Sequence, residues 1–99
     1  MFLDCDGFDW DRGNSTKNWK KHRVTKSECE QAFFNKPVVP YPSKNTTYDE
    51  SRFVLLSKTD QYRLLTIVFI IRSKKIRVIS ARGMSRKERG IYDKENSAI

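Results

Sequence analysis

Histidine occurs once, cysteine twice, proline three times and glycine four times in the 99 residues. Cys5 and Cys29 stand far apart, with no C-x-x-C pair and no histidine cluster beside them. A Cys/His zinc site is therefore excluded, and reduced thiols in the cytoplasm are the expectation. So little proline and glycine, and no internal repeat, exclude a collagen-like or low-complexity chain. The longest apolar run, Leu64 to Ile71, is broken by Thr66 and falls well short of the roughly 20 residues a helix needs to span a bilayer. Asp4, Asp6 and Asp9 stand where a secretory signal would carry a basic segment. G-x-S-x-G, P-loop, H-E-x-x-H and glycine-rich dinucleotide motifs are all missing, so the sequence carries none of these hydrolase, nucleotide-binding or metalloprotease motifs.

What is present is apolar side chains (37%, with 12% aromatic) and charge (32%). The length suits one domain, residues 1–99, with enough Phe, Tyr, Ile, Leu and Val to close a small core. The net charge of +8 is unevenly placed. Residues 1–51 hold eight basic and eight acidic side chains, whereas residues 52–99 hold twelve basic and four acidic. Between Arg72 and Arg89 there are eight Lys/Arg and one acid, Glu88. Charge concentrated in this way attracts polyanions, nucleic acid being the commonest. The plainer reading is a solvated basic surface or a contact for an acidic protein.

Gly7 to Trp10 alternates in polarity as a short strand, and Asp11 is a credible N-cap for a helix running to about His22. Thr25-x-x-Glu28 is a capping box opening a second helix, in which Cys29, Ala32 and Phe33 form the apolar stripe. Pro37, Pro40 and Pro42 bracket Val38-Val39 and restrict that segment to a sheet edge. Residues 43–50 read as an exposed loop. Arg52–Lys58, Tyr62–Ile71 and Ile76–Ala81 are three strands, the middle one apolar enough to be covered on both faces. Ser85-x-x-Glu88 is a further capping box, opening a last helix to about Lys94. The order β-α-α-β-β-β-β-α predicts an α+β domain with an antiparallel sheet core, two N-terminal helices and one C-terminal helix.

Few residues invite chemistry. His22, near the end of the first helix, shares a face with Asn14 and Asn18 at four-residue spacing. That face suits the wall of an active site, or equally a solvated helix end whose imidazole meets the dipole. Arg72 and Arg77 flank a tight connection between strands, Arg82 ends the last strand and Arg86 opens the helix beyond it. Guanidinium groups so placed suit bidentate phosphate binding, with surface salt bridging as the alternative.

The block Lys75-Ile-Arg-Val-Ile-Ser-Ala-Arg-Gly-Met-Ser-Arg-Lys-Glu-Arg-Gly-Ile-Tyr92 resembles the C-terminal signature of the BrnT toxins, I-R-[IV]-I-S-A-R followed by R-x-E-R-x-x-Y. Phe8-Asp9-Trp10-Asp11, Asn18-x-x-Lys21-His22-x-Val24, Ala32 to Pro37, Arg52-Phe53-x-x-Leu56 and Arg63-Leu64-Leu65-x-x-Val68-Phe69 resemble further family segments in the same order. The likeness covers about residues 8–92, leaving 1–6 and 95–99 expected to be flexible. It implies a RelE-like fold and the toxin half of a bacterial type II toxin–antitoxin pair, an endoribonuclease of the cytoplasm that inhibits translation. It also implies metal-independent cleavage by attack of a ribose 2′-OH on the adjacent phosphate, with no metal and no cofactor. On this reading His22, Arg72, Arg77 and Arg82 are catalytic, while Lys21, Arg52, Lys74, Lys75, Arg86 and Tyr92 bind RNA. Glu50 is a possible acid or base. The implied partner is a cognate BrnA-like ribbon-helix-helix antitoxin, whose dimer would gather two toxins into a heterotetramer. DNA would be reached only indirectly, through that antitoxin, and no membrane is involved.

The chain departs from the family pattern at several positions. Arg23 stands where relatives have Gly, Ser51 where many have Glu, Asn45-Thr46-Thr47 where many have His-Ser, Ser57 where Gly is usual, and Gly83 where Asp is frequent. The alternative function is therefore a non-catalytic RNA- or antitoxin-binding module that has lost its acid–base residues.

Overall fold

The computed structural model describes residues 5–35, 37–42 and 52–97. The chain forms β1 (Gly7–Phe8), α1 (Arg12–His22), α2 (Lys26–Phe34), β2 (Val38–Pro42), β3 (Phe53–Lys58), β4 (Leu64–Arg72), β5 (Lys75–Gly83) and α3 (Arg86–Ser97). This is the α+β order read from the sequence, with α3 running past Lys94. The sheet has five strands in the order β1-β5-β4-β3-β2. β2 to β5 pair antiparallel, but β1 runs parallel to β5 through Gly7↔Lys75 and Phe8↔Ile76, so the sheet is mixed rather than purely antiparallel. The proline-bracketed segment is an edge strand, as its missing amide donors require.

The helices start where side chains supply the missing acceptors. Asp11 Oδ1 accepts from Asn14 N (2.9 Å) and Asn14 Oδ1 accepts from Asp11 N (2.8 Å), a reciprocal cap at the start of α1. Asn14 is itself buried, and its amide donates to the carbonyls of Asp9 (3.0 Å) and Val78 (3.2 Å). The polar helix face expected to end in His22 is thus structural at its first member. Both predicted capping boxes form, Thr25 with Glu28 and Ser85 with Glu88.

α1 ends in a left-handed residue, Arg23 (φ 55°), where a glycine would be the unstrained choice. Its N–H donates to Trp19 O (3.0 Å) and its guanidinium lies 5.0 Å from the Trp19 ring centroid. Arg63 fastens this corner to the sheet. Its guanidinium donates to the carbonyls of His22 (3.0 Å) and Arg23 (2.8 Å) and pairs with Glu28 (3.0 Å). At the end of α2, the fully buried Ser57 hydroxyl donates to Ala32 O (2.6 Å), with Asn35 O 3.1 Å away. Ser57, where the family has glycine, therefore has a use, since its hydroxyl adds a short bond to Ala32 O at the helix C-terminus, where backbone donors are few.

One sheet face packs under α2 and the α1–α2 corner. Leu55, Leu65, Ile67, Phe69, Ile76, Val78 and Ala81 meet Val24, Cys29, Ala32 and Phe33 there. Phe33 stands edge-on to both Phe8 (5.3 Å) and Phe69 (5.0 Å), joining β1 to the middle of the sheet. The other face carries a smaller cluster of Val54, Leu56, Leu64 and Val68 beneath Met84, Ile91 and Tyr92. Tyr92, expected to contact RNA, is 5% exposed and belongs to this core, so its ring is closed to a stacking base. Ser73 (φ 52°) and Lys74 (φ 61°) form the two-residue turn from β4 to β5, both left-handed as a tight hairpin demands.

Candidate nucleic-acid interface

Strand pairing brings the basic residues together. Arg72 is opposite Lys75, Ile70 opposite Arg77, Val68 opposite Ser80 and Thr66 opposite Arg82. Directly paired residues share a face, and so do alternate residues of β4. Arg72, Lys75, Arg77 and Arg82 therefore stand on one face, the face that Val68 shares with α3. Arg77 and Arg82 are an odd number of residues apart and would oppose each other in a regular strand. The register shift between Val68 and Phe69 leaves Ile79 without a counterpart, and this bulge turns the end of β5 back into line. Arg52, in step with Val54 and Leu56 one residue before β3, extends the row across the sheet.

Two of these arginines are held by carboxylates. Arg77 donates to Asp11 Oδ2 (2.7 Å) and lies 3.5 Å from Asp9 Oδ2. The bond from Asp11 raises the Arg77 pKa further, and the Asn14 amide together with Arg77 lowers that of Asp11. Arg82 grips Glu88 with both nitrogens, at 2.8 and 2.9 Å. Burial alone would raise the Glu88 pKa, but hydrogen bonds from Arg82 and the Ser85 amide outweigh it and hold the pKa at about 2. Sequence reasoning found Asp11 and Glu88 only as helix caps. Asp11 places one oxygen on its cap and the other on Arg77, whereas Glu88 gives both oxygens to Arg82 and shares Oε1 with the Ser85 amide.

The other candidates are spread around this row. Lys74 and Lys75 are exposed at the hairpin, and Arg86 is exposed at the start of α3. Lys21 and His22 are exposed at the C-terminal end of α1, beside Arg63, which leads into β4 at the end opposite Arg72. About 30 Å of strand, at roughly 3.3 Å per residue, separates those two arginines. No hydrogen bond or ion pair among the described residues joins the His22 side chain to Arg72, Arg77 or Arg82; only its carbonyl is engaged. The structure therefore does not bring the histidine and arginines into one cluster. Glu50, Ser51 and the 45–47 segment lie outside the described residues.

Where Arg77 meets the N-terminus of α1, an open groove of about 480 Å³ runs between Asp11, Arg12, Asn14, Arg77, Val78 and Ile79. Among the described residues, no group of three or more His, Cys, Asp or Glu is placed to hold a metal ion. None of their helices is long and apolar enough to cross a membrane.

A five-stranded α+β domain with its cations aligned on one sheet face defines the class. Within that class the chain belongs to a particular family: the family model of BrnT, the ribonuclease toxin of type II toxin–antitoxin systems, matches residues 10–88, from just before α1 to Glu88 in α3. No curated protein matches the chain.

Proposed function

We propose that this ribonuclease toxin cleaves RNA without a metal ion, the ribose 2′-OH attacking the adjacent phosphate, and that a cognate antitoxin silences it by covering the basic face. The observation that supports this reading is the alignment of Arg72, Lys75, Arg77 and Arg82 on one face of β4 and β5. The attack builds negative charge on the phosphorane oxygens, and pre-placed guanidinium groups stabilise that charge more than the ground state. Arg77 and Arg82 are oriented in advance by their carboxylates, so little side-chain freedom is lost on binding. Arg52, Lys74, Lys75, Arg86 and Lys21 supply further attraction along the strand. His22 is the available imidazole for proton transfer, and Glu50 is a second acid–base candidate. The antitoxin is a BrnA-like ribbon-helix-helix dimer that assembles two toxins and carries them to DNA, in the cytoplasm.

A second reading is supported by the position of His22 at the far end of the sheet from Arg72: a module that binds RNA or antitoxin and does not cut. One experiment separates them. Purified protein is incubated with RNA in EDTA, with Arg77→Ala and His22→Ala alongside. Cleavage by the wild type, reduced at least tenfold in Arg77→Ala, supports the nuclease. A matching loss in His22→Ala assigns the imidazole to the reaction, whereas full activity in that variant removes it. Salt-sensitive binding without cleaved product establishes the second reading.

A further inference from the structure

We infer that the end of the molecule around Arg63 is a platform on which RNA bases stack, built from Trp19 and Tyr62; this rests on the RNA-binding reading above. Trp19 is the one apolar side chain of α1, yet it is 46% exposed. Tyr62, in the connection from β3 to β4, is 74% exposed. Each ring is paired with a cation. The Arg23 guanidinium lies 5.0 Å from the Trp19 centroid, and Lys58 Nζ lies 4.6 Å from that of Tyr62. A cation covers one side of a ring, and the exposure of these two leaves surface for a flat partner.

Both pairs are held on unusual backbone. Among the described residues, four non-glycine positions are left-handed. Ser73 and Lys74 serve the hairpin, and the other two are Arg23 (φ 55°) and Tyr62 (φ 65°), one member of each pair. A large side chain is a poor choice for such a position, and strain of this kind gathers at functional sites. Arg63 joins the two pairs, since it follows Tyr62 in the chain and donates to the carbonyls of His22 and Arg23. Its own charge is answered by Glu28, while Lys20 and Lys21 stand exposed beside it at the end of α1.

The platform is connected to the cationic row. α1 starts beside Arg77, through Asp11, and ends beside Arg63, so a strand whose phosphates lie on the row is led along the helix to the rings. An acidic peptide could meet the same cations but offers no flat face to Trp19 or Tyr62, whereas every base does. The row thus takes phosphates and the platform takes bases, with little preference of sequence.

Binding of a nine-residue 2′-O-methyl oligoadenylate, which cannot be cleaved by 2′-OH attack, tests this apart from catalysis. It should quench tryptophan emission in the wild type and not in Trp19→Phe, which keeps a ring but leaves only Trp10 to emit. By anisotropy, Trp19→Ala and Tyr62→Ala should each weaken binding about tenfold, with Trp19→Phe close to wild type and circular dichroism spectra unchanged. The dependence of affinity on salt should be the same in Trp19→Ala as in the wild type, because stacking releases no counterions. Binding without quenching, a loss in only one or neither alanine variant, or a salt dependence that falls in Trp19→Ala overturns the platform and leaves the RNA-binding reading standing. Quenching by nonaglutamate but not by the oligonucleotide assigns this end to an acidic protein and likewise overturns it. No binding of the oligonucleotide to any form overturns both.

Discussion

At Ser57 a single hydroxyl helps tie the end of α2 to the sheet. The side chain is fully buried and donates to Ala32 O at 2.6 Å, so its removal leaves that helix-terminal carbonyl only the longer bond from Asn35 N (3.4 Å). Ser57→Ala should cost about 0.5–1.5 kcal/mol, seen as a lower urea midpoint at unchanged slope. Glu88 carries a similar responsibility at the start of α3, and its effect depends on pH. Its folded pKa of about 2 lies below the ordinary 4.5. Its contribution is therefore complete above about pH 4.5 and is lost as the pH falls toward 2. Because Arg82 is 43% exposed, solvent screening limits the contribution to about 1 kcal/mol. Glu88→Gln should lose that amount at pH 7, and its thermal stability should change less than that of the wild type between pH 4.5 and 2.

At the scale of elements, the sequence was most legible where local rules act alone. Alternation and apolar runs placed β3, β4 and β5 to within a few residues, and two capping boxes marked α2 and α3. The parallel pairing of β1 with β5 was not legible, because so short a strand fixes neither partner nor direction and its partner is about seventy residues away. Nor was the bulge at Ile79. Read with a period of two, Arg77 and Arg82 fall on opposite faces, and only the paired strand shows that they share one. The ordered arginines were therefore visible in the sequence, but their alignment was not. The roles of Asp11 and Glu88 were hidden by their simpler use as caps. α3 contains a residue that local rules do mark as costly, Gly90, exposed in mid-helix with nothing within 4 Å of an added Cβ. Gly90→Ala should stabilise by up to about 1 kcal/mol and raise the melting temperature by about 4–8 °C. It also serves as a control, since it leaves both the arginine row and the groove untouched.

For the whole molecule, the net charge of +8 matters less than its division. The first half is balanced, and its acids are not idle: Asp9 and Asp11 reach Arg77, and Glu28 reaches Arg63. Part of the positive excess is thus paired internally, and the cations that meet an RNA backbone are fewer than composition suggests. Binding to single strands releases counterions in proportion to the phosphates neutralised, with a slope of about −0.7 per contact in log Kd-derived affinity against log salt. If all twelve basic residues of the second half took part, the slope would be near −8. The aligned row of Arg72, Lys75, Arg77 and Arg82 corresponds instead to roughly −3. Titration of an uncleavable oligouridylate between 50 and 300 mM KCl should give the shallower value, and Arg72→Ala should reduce it by about 0.7. A slope near −8, unchanged by Arg72→Ala, would mean that the RNA is held by diffuse charge over the whole second half and that the aligned row has no special part in binding it.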